Sequence, residues 1–291
     1  MMQMVLLHLG AGKQNESHQY VQLMKRACLV EGRTAVDLVT HSIVVLEDSE
    51  KVNCGSGSHT TNDALIIHNG YGAITCCTDG NPIKIARYLM QQPRIVNGKM
   101  TPLMISGDAY IRKCGIYNKK IENKLDDVSE QQDTVGCIAL KGNELCVGTS
   151  SGGIQQKEHG RIGSSFMYGV GGYIKELGIK KIAITSSGAG EQLLMSDFCR
   201  NAVDHFLKRD NYLELLTELI EEFMCNEILS GFPRKYIGVL LVVVDGEHVE
   251  FLYAHTTPTF FFGYSYNNKF KYNLSKLRKN QTYLVGNISI C

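Results

Sequence analysis

A charged segment without periodicity divides this chain, and it constrains the fold more than any other feature of the sequence. Residues 119–132 read KKIENKLDDVSEQQ, which follows neither the helical nor the strand period and is typical of a flexible linker. Apolar sequence resumes directly after Asp133, where a buried strand is predicted over residues 135–140. We therefore expect a linker over residues 118–133 and a strand that begins beside Thr134.

Helices and strands are predicted on both sides of this linker, so the expected class is α+β. The predicted strands cover residues 4–9, 135–140, 144–149, 181–186, 236–244, 249–254 and 259–264. The predicted helices cover residues 17–29, 34–46, 82–91, 165–177, 191–208 and 213–229. The length of 291 residues is compatible with two domains or with one large unit.

Charge and hydropathy exclude several classes of protein. The 30 Lys and Arg residues nearly balance 29 Asp and Glu, so a nucleic-acid partner is not predicted. The longest apolar run, residues 236–244, is far shorter than the ~18 residues of a membrane helix, and the first residues do not resemble a signal peptide. The ten cysteines contain no Cys-x-x-Cys pair. We therefore expect an intracellular protein with reduced cysteines and no metal site.

Thr134 is a candidate nucleophile because it follows the predicted linker and precedes a buried strand. A threonine hydroxyl needs a nearby base, and its own α-amine becomes one when the preceding peptide bond is cut. The pKa of a free α-amine is ~7.7 to 8.0, which suits proton transfer near neutral pH. The Asp133–Thr134 sequence alone is also compatible with an ordinary strand that begins at threonine.

Three glycine-rich motifs follow Thr134 in the sequence. They are SSGG at residues 150–153, GRIG at 160–163 and SGAGE at 187–191. The third lies where a strand is expected to meet a helix, and free N–H groups at such a junction stabilise an oxyanion. An arginine between glycines, Arg161, can pair with a carboxylate. Taken singly, the motifs are also compatible with a hairpin turn, a surface arginine and a helix-capping loop.

In combination, these motifs resemble the asparaginase and isoaspartyl peptidase family of N-terminal-nucleophile hydrolases and, within it, the threonine aspartases (taspases). The similarity extends to HLGAG at residues 8–12, LEDS at 46–49, NCGSG at 53–57 and VEFLYAHTT at 249–257. It implies a four-layer αββα sandwich with the nucleophile at the start of a central strand. It also implies that residues 1–291 form a single domain, which cuts itself into residues 1–133 and 134–291.

The resemblance implies a role for each matching position. Cleavage after Asp133 would free Thr134 as the nucleophile, with Ser151 as its auxiliary hydrogen-bond partner. Ser187 and Gly188 would supply the oxyanion donors. The substrate would contact Arg161, which holds an acidic group, together with Gly190 and Ser164. Supporting positions near the nucleophile would be Gly10, Ala11 and Asn53. No cofactor is implied.

Two positions favour an endopeptidase that cleaves proteins after aspartate. Asparaginases usually have glycine before the nucleophilic threonine, whereas this chain has Asp133. They also have an aspartate after the GRVG motif that binds a free amino group, and here that position is Ser164. Ser164 is neutral and does not pair with an ammonium group. The expected partners are therefore polypeptides with an Asp at the cleavage site.

Two other functions remain open at this stage. One is an L-asparaginase or β-aspartyl (isoaspartyl) peptidase acting on small substrates, and the other is a non-catalytic relative that acts by binding. Self-processed units of this family also pair into dimers, so a homodimer is compatible with the resemblance. The linker lacks the basic cluster of larger taspases, which favours a cytoplasmic location and leaves nuclear import open.

Overall fold

A computed structural model describes most of the chain. The described residues are 2–12, 16–58, 61–78, 80–107, 109, 134–154, 157–158 and 160–290. The predicted linker over residues 118–133, including Asp133, lies outside them.

Fifteen strands are present in the described residues. They are β1 (Gln3–Gly12), β2 (Asn62–Ile67), β3 (Tyr71–Cys77), β4 (Ile95–Val96), β5 (Lys99–Met100), β6 (Met104–Ser106), β7 (Val135–Lys141), β8 (Glu144–Ser151), β9 (Gly172–Leu177), β10 (Lys180–Gly188), β11 (Ile237–Asp245), β12 (His248–His255), β13 (Thr259–Tyr266), β14 (Lys269–Lys276) and β15 (Leu284–Ile290). Eight of them form one sheet in the order β14-β13-β1-β7-β8-β2-β3-β6, and five form another in the order β15-β12-β11-β10-β9. Strands β4 and β5 form a separate ribbon. The pairing is antiparallel throughout except between β3 and β6.

Six α-helices are described, and side-chain capping explains where the first two begin. The helices are α1 (His18–Cys28), α2 (Ala35–Glu47), α3 (Pro82–Gln91), α4 (Gly190–Ser196), α5 (Phe198–Phe206) and α6 (Tyr212–Cys225). Ser17 caps α1, and Thr34 forms a reciprocal capping box with Asp37 at the start of α2. Pro82 begins α3, where a proline loses no helical hydrogen bond.

Successive side chains of each strand point to opposite faces of its sheet, and packing on both faces produces four layers. In β1, Val5 and Leu7 pack against helices α1 to α3, whereas Leu6 faces the core between the two sheets. Helices α4 to α6 cover the outer face of the smaller sheet, where Ile182 of β10 packs against them. Both sheets are therefore buried on two faces, and the predicted αββα sandwich is confirmed.

Three predicted helices differ from the structure. Residues 165–177 form turns and strand β9 instead of a helix, because glycines at 169, 171 and 172 oppose continuous helix formation. Residues 191–208 form two helices, since Asp197 between α4 and α5 has a left-handed backbone with φ 47°. Strands β14 and β15 were not predicted from the sequence. The predicted helix over 213–229 ends earlier, and residues 227–229 form a 3-10 turn.

Candidate active site

Thr134 lies directly before β7 and lines a cleft at the end of the two sheets. Its residue exposure is 8%, so the hydroxyl sits in a protected environment that is still reached from the cleft. The lining residues are Thr134, Ser151, Gly153, Ile154, Lys157, Arg161, Ile162, Gly163, Ser164, Gly188, Gly190 and Glu191. All three glycine-rich motifs of the sequence therefore contribute to the same cleft as Thr134.

Strand periodicity determines which serine of the SSGG motif reaches the cleft. Ser150 and Ser151 are neighbours at the end of β8, so their side chains point to opposite faces of the sheet. The Ser150 hydroxyl donates to Glu47 Oε1 of α2 at 2.7 Å. Ser151 therefore faces the cleft, where its hydroxyl accepts a hydrogen bond from the Gly153 N–H at 3.0 Å.

Asn53 fixes the loop that follows Ser151. Its carbonyl accepts the Gly152 N–H at 2.8 Å, and its side-chain amide donates to the Gly153 carbonyl at 2.5 Å. Asn53 does not line the cleft among the described residues. The structure thus places this predicted supporting residue behind the SSGG loop, where it holds the backbone next to Ser151.

Gly188 of the SGAGE motif lines the same cleft as Thr134. Glycine is required here, because the backbone has a φ of +142° and an added Cβ would collide with the Tyr236 carbonyl. Ser187 is fully buried and accepts the Ala11 N–H at 3.0 Å. Gly10, at a break in the β1 register with φ 119°, precedes that contact. Ser187, Gly10 and Ala11 therefore lie behind the cleft wall.

Arg161 projects into the cleft from an exposed loop and already has acidic partners. Its guanidinium pairs with Glu191, the second residue of α4, and more weakly with Glu158 at 3.5 Å. The side chains of Arg161 and Glu191 are 32% and 50% exposed. Ion pairs this exposed contribute ~0 to 1 kcal/mol. A substrate carboxylate can therefore replace Glu191 at little cost.

Ser164 and Gly190 are neighbours on one wall of the cleft, beside Arg161. An added Cβ on Gly190 would lie 3.7 Å from Ser164 Oγ, so the two residues form one wall. Ser164 is buried, with 6% exposure. Glu191 supplies the single carboxylate among the described lining residues, and it pairs with Arg161. The position of Ser164 therefore offers no carboxylate to an ammonium group, and Glu191 is already paired with Arg161.

Comparison with known proteins agrees with this arrangement of residues. A family model described as asparaginase matches residues 108–271, which is more than half of the chain. The chain belongs to the asparaginase family. It is 30% identical over 272 residues to a human protein named isoaspartyl peptidase/L-asparaginase, covering 80% of this chain and 84% of that protein. Members of this family are hydrolases of the N-terminal-nucleophile type.

Other relatives have similar names. A rat isoaspartyl peptidase/L-asparaginase is 31% identical over 251 residues, covering 76% of this chain and 72% of the rat protein. A plant-type L-asparaginase of Pyrococcus horikoshii is 25% identical over 249 residues, covering 69% and 78% of the two chains. The similarity therefore extends across both sides of the predicted linker.

His8 lies behind Thr134 in this asparaginase-family protein, and the sequence indicated it only as part of the HLGAG motif. His8 pairs with Gly136 in the β1–β7 ladder, and its Nε2 lies 3.3 Å from Thr185 Oγ1 of the other sheet. An added Cβ on Gly136 would collide with that nitrogen. Burial lowers the pKa of His8 to about 3, although the Thr134 backbone opposes this shift. The imidazole is therefore neutral.

A buried ion pair forms another part of the cleft that the sequence did not predict. Lys157 Nζ lies 2.9 Å from Asp63 Oδ2, and the two side chains are 1% and 0% exposed. The two residues are far apart in sequence, so only the β2–β8 pairing and the returning loop bring them together.

The described residues contain no cluster of His, Cys, Asp and Glu that could hold a metal ion. They also contain no helix long and apolar enough to span a membrane.

Glu47 is a buried carboxyl group on the helix side of β8. Its Oε1 accepts hydrogen bonds from the Ser150 hydroxyl and the Ile83 N–H, and its Oε2 has no partner among the described residues. Burial raises the pKa of Glu47 to about 8, although hydrogen bonds from Ser150 and Ile83 counteract this shift. At neutral pH the side chain is therefore largely protonated.

Glu47→Gln should make the free energy of unfolding less dependent on pH. The unfolded carboxyl ionises near its usual value of 4.5, whereas the folded one keeps its proton until about pH 8. The stabilisation is therefore complete below pH 4.5 and is lost as the pH rises through 8. Between pH 5 and 8, wild type should lose more than about 1 kcal/mol relative to the Glu47→Gln variant in urea unfolding.

The exposed Glu247 in the turn between β11 and β12 provides a matched control. The Glu247→Gln variant should follow the wild-type pH dependence throughout. Parallel curves for wild type and the Glu47→Gln variant would show that Glu47 ionises alike in the folded and unfolded chain.

Proposed function

We propose that this chain is a threonine-type endopeptidase that cleaves polypeptides after aspartate and activates itself by cutting between Asp133 and Thr134. The observation that carries this proposal is the charge of the cleft, where Arg161 can accept a carboxylate. Ser164 is neutral, and Glu191, the carboxylate among the described lining residues, is paired with Arg161. A substrate whose amino group lies in a peptide bond fits this arrangement.

The reaction begins at the Thr134 hydroxyl. Its oxygen attacks the main-chain carbonyl carbon of the substrate aspartate, and its proton moves to the Thr134 α-amine. The negative charge on the carbonyl oxygen is stabilised by donors at the Gly188 end of β10, which lines the cleft, whereas Ser187 lies behind the wall. When the peptide C–N bond breaks, the leaving amine takes a proton from the α-ammonium group. The product is an ester between Thr134 and the amino-terminal part of the substrate.

Water completes the cycle by the same route. The α-amine removes a proton from water, hydroxide adds to the ester carbonyl, and the Thr134 oxygen leaves with that proton. His8 is unsuited to this proton transfer, because burial lowers its pKa to about 3 and it contacts Thr185 behind the site. The Thr134 α-amine is therefore the general base in the proposed reaction, and it exists only after cleavage at Asp133.

Ser151 has a supporting part in this scheme. It shares the cleft with Thr134, and it accepts a hydrogen bond from Gly153 while its own hydroxyl hydrogen stays available. That hydrogen can be donated to the Thr134 oxygen or amine. Asn53 limits the movement of the loop beside it.

An isoaspartyl peptidase or asparaginase acting on small substrates is the second candidate. The names of the human, rat and archaeal relatives favour it. Its substrates also carry a carboxylate that Arg161 could hold. The neutral Ser164 disfavours it, since a free α-amino group would then depend on Glu191, the carboxylate that a substrate displaces from Arg161.

A peptide that copies residues 130–136, EQQDTVG, separates the two candidates. The endopeptidase proposal predicts cleavage after its aspartate, with kcat/KM at least about tenfold higher than for the matched peptide with asparagine, because Arg161 loses its charged partner. Thr134→Ala should abolish this cleavage. Products are measured by liquid chromatography and mass spectrometry.

The same protein is then supplied with asparagine and with a β-aspartyl dipeptide. The proposal predicts no release of ammonia and no dipeptide cleavage. Turnover of either small substrate, with both peptides left intact, would establish the second candidate instead.

Ser164→Asp should shift the preference of the site toward small substrates. The new carboxylate would pair with an α-ammonium group and would repel the aspartate of the peptide substrate. We expect kcat/KM for the EQQDTVG peptide to fall by about tenfold or more, with a gain in β-aspartyl dipeptide cleavage. Ser164→Asn is the control of equal size, and equal effects of the two variants would contradict the charge argument.

A further inference from the structure

The buried pair of Lys157 and Asp63 has more contacts than an incidental ion pair. Asp63 Oδ1 accepts hydrogen bonds from the Thr75 hydroxyl at 2.6 Å and the Cys76 N–H at 3.0 Å. Its Oδ2 accepts from Lys157 Nζ at 2.9 Å and the Gly163 N–H at 3.0 Å. All four acceptor positions of this carboxylate are therefore used.

These contacts fix the loop that carries Arg161 at both ends. Lys157 lies four residues before Arg161 and Gly163 lies two residues after it, and both bind the same oxygen of Asp63. Lys157 Nζ also donates to the Thr61 carbonyl at 3.3 Å. The Arg161 side chain itself is partly exposed, so its position depends on how firmly this loop is held.

Asp63 also connects the loop to the catalytic strands. In the β2–β8 ladder Asp63 pairs with Ser151, and its main-chain carbonyl accepts the Ser165 hydroxyl at 3.2 Å. A displacement of Asp63 would therefore reach Ser151 through the sheet and Arg161 through the loop.

The backbone at Cys76 indicates that this anchor is maintained against strain. Cys76 has φ 54°, a left-handed conformation that is uncommon for residues other than glycine. Such residues persist where the surroundings determine them strongly. Here the surroundings include the bond from the Cys76 N–H to Asp63 Oδ1.

The pair also controls the charge that a substrate meets. A buried pair adds little net stability over apolar residues, but removing one partner leaves an uncompensated charge. Lys157 lines the cleft, so without it the carboxylate of Asp63 would face the site that accepts a substrate carboxylate. With the pair intact, Asp63 anchors the loop without repelling an acidic substrate.

We propose that Asp63 and Lys157 are positioning residues for Arg161, which together hold its loop and cancel each other's charge beside the substrate carboxylate. This inference rests on the proposed function, because it assigns Arg161 to a carboxylate of the substrate. It predicts that the pair determines the preference for aspartate over asparagine at the cleavage site.

A double-mutant cycle on the processed protein tests this pair. The variants are Lys157→Met, Asp63→Asn and the combination of both, and the substrates are EQQDTVG and the matched peptide with asparagine. Lys157→Met should reduce the preference for aspartate by about tenfold or more, mainly through a higher KM for the aspartate peptide, whereas Asp63→Asn leaves the positive charge of Lys157 uncompensated beside the substrate carboxylate and should increase the preference. The double variant should have a preference near that of wild type, because both charges are gone.

Controls separate this role from a general loss of structure. Lys175→Met removes an exposed ion pair with Asp204 outside the cleft and should leave the preference unchanged. Thermal unfolding of each processed variant reports on the fold. If the Lys157→Met variant does not fold, the Asp63→Asn variant alone tests the proposal, since it keeps an oxygen acceptor for the Gly163 N–H but loses the negative charge.

Two results would overturn the proposal. One is an unchanged preference for aspartate in both single variants. The other is an equal loss for both peptides through kcat alone, without recovery in the double variant, which a purely structural role would produce.

Failure of the proposed function gives a different result. In that case wild type itself leaves both peptides intact and turns over a β-aspartyl dipeptide or asparagine. The same variants are then compared by their KM for that substrate, whose carboxylate would bind Arg161. A raised KM in Lys157→Met and a lowered KM in Asp63→Asn, with a value near that of wild type in the double variant, support the positioning role, and unchanged KM values contradict it.

Discussion

The burial of β7 on both faces is the constraint on which this site depends. Its odd-numbered residues, such as Cys137, pack under the helices, and even-numbered ones, such as Ile138, face the second sheet. Gly136 belongs to the second set and is crowded by His8 and Thr185. A shift of one residue would exchange these two sets. Packing of the core therefore fixes the position of Thr134 at the end of the strand.

Burial also sets the electrostatic character around Thr134. His8 is kept neutral and Glu47 is kept protonated, because each lies in a place that disfavours its charged form. Asp63 and Lys157 carry compensating charges. Arg161 is left as the cationic group that a ligand reaches by displacing an exposed partner, Glu191. The chemistry proposed for Thr134 would thus take place in a cleft for which we propose that one arginine provides most of the selectivity.

Local patterns predicted much of the fold and part of the site. The helix at Pro82–Gln91 and the β7–β8 hairpin follow from periodicity and turn residues. The polar edge strand β14 lacks an apolar period because most of it is exposed or half-buried, so no sequence pattern indicated it. Thr134, Arg161 and Ser164 were recognisable from short motifs. Asp63 and Lys157 were not, since their contact depends on a long-range strand pairing and a loop conformation.

The intact mass of the purified protein, fresh and after incubation, tests the central claim most directly. We predict two fragments, one ending at Asp133 and the other beginning with a free α-amine at Thr134. Thr134→Ala should remain a single chain under the same conditions. Wild-type protein that stays whole and inactive after incubation, or that is cut at another bond, would contradict the assignment of Thr134 as the nucleophile.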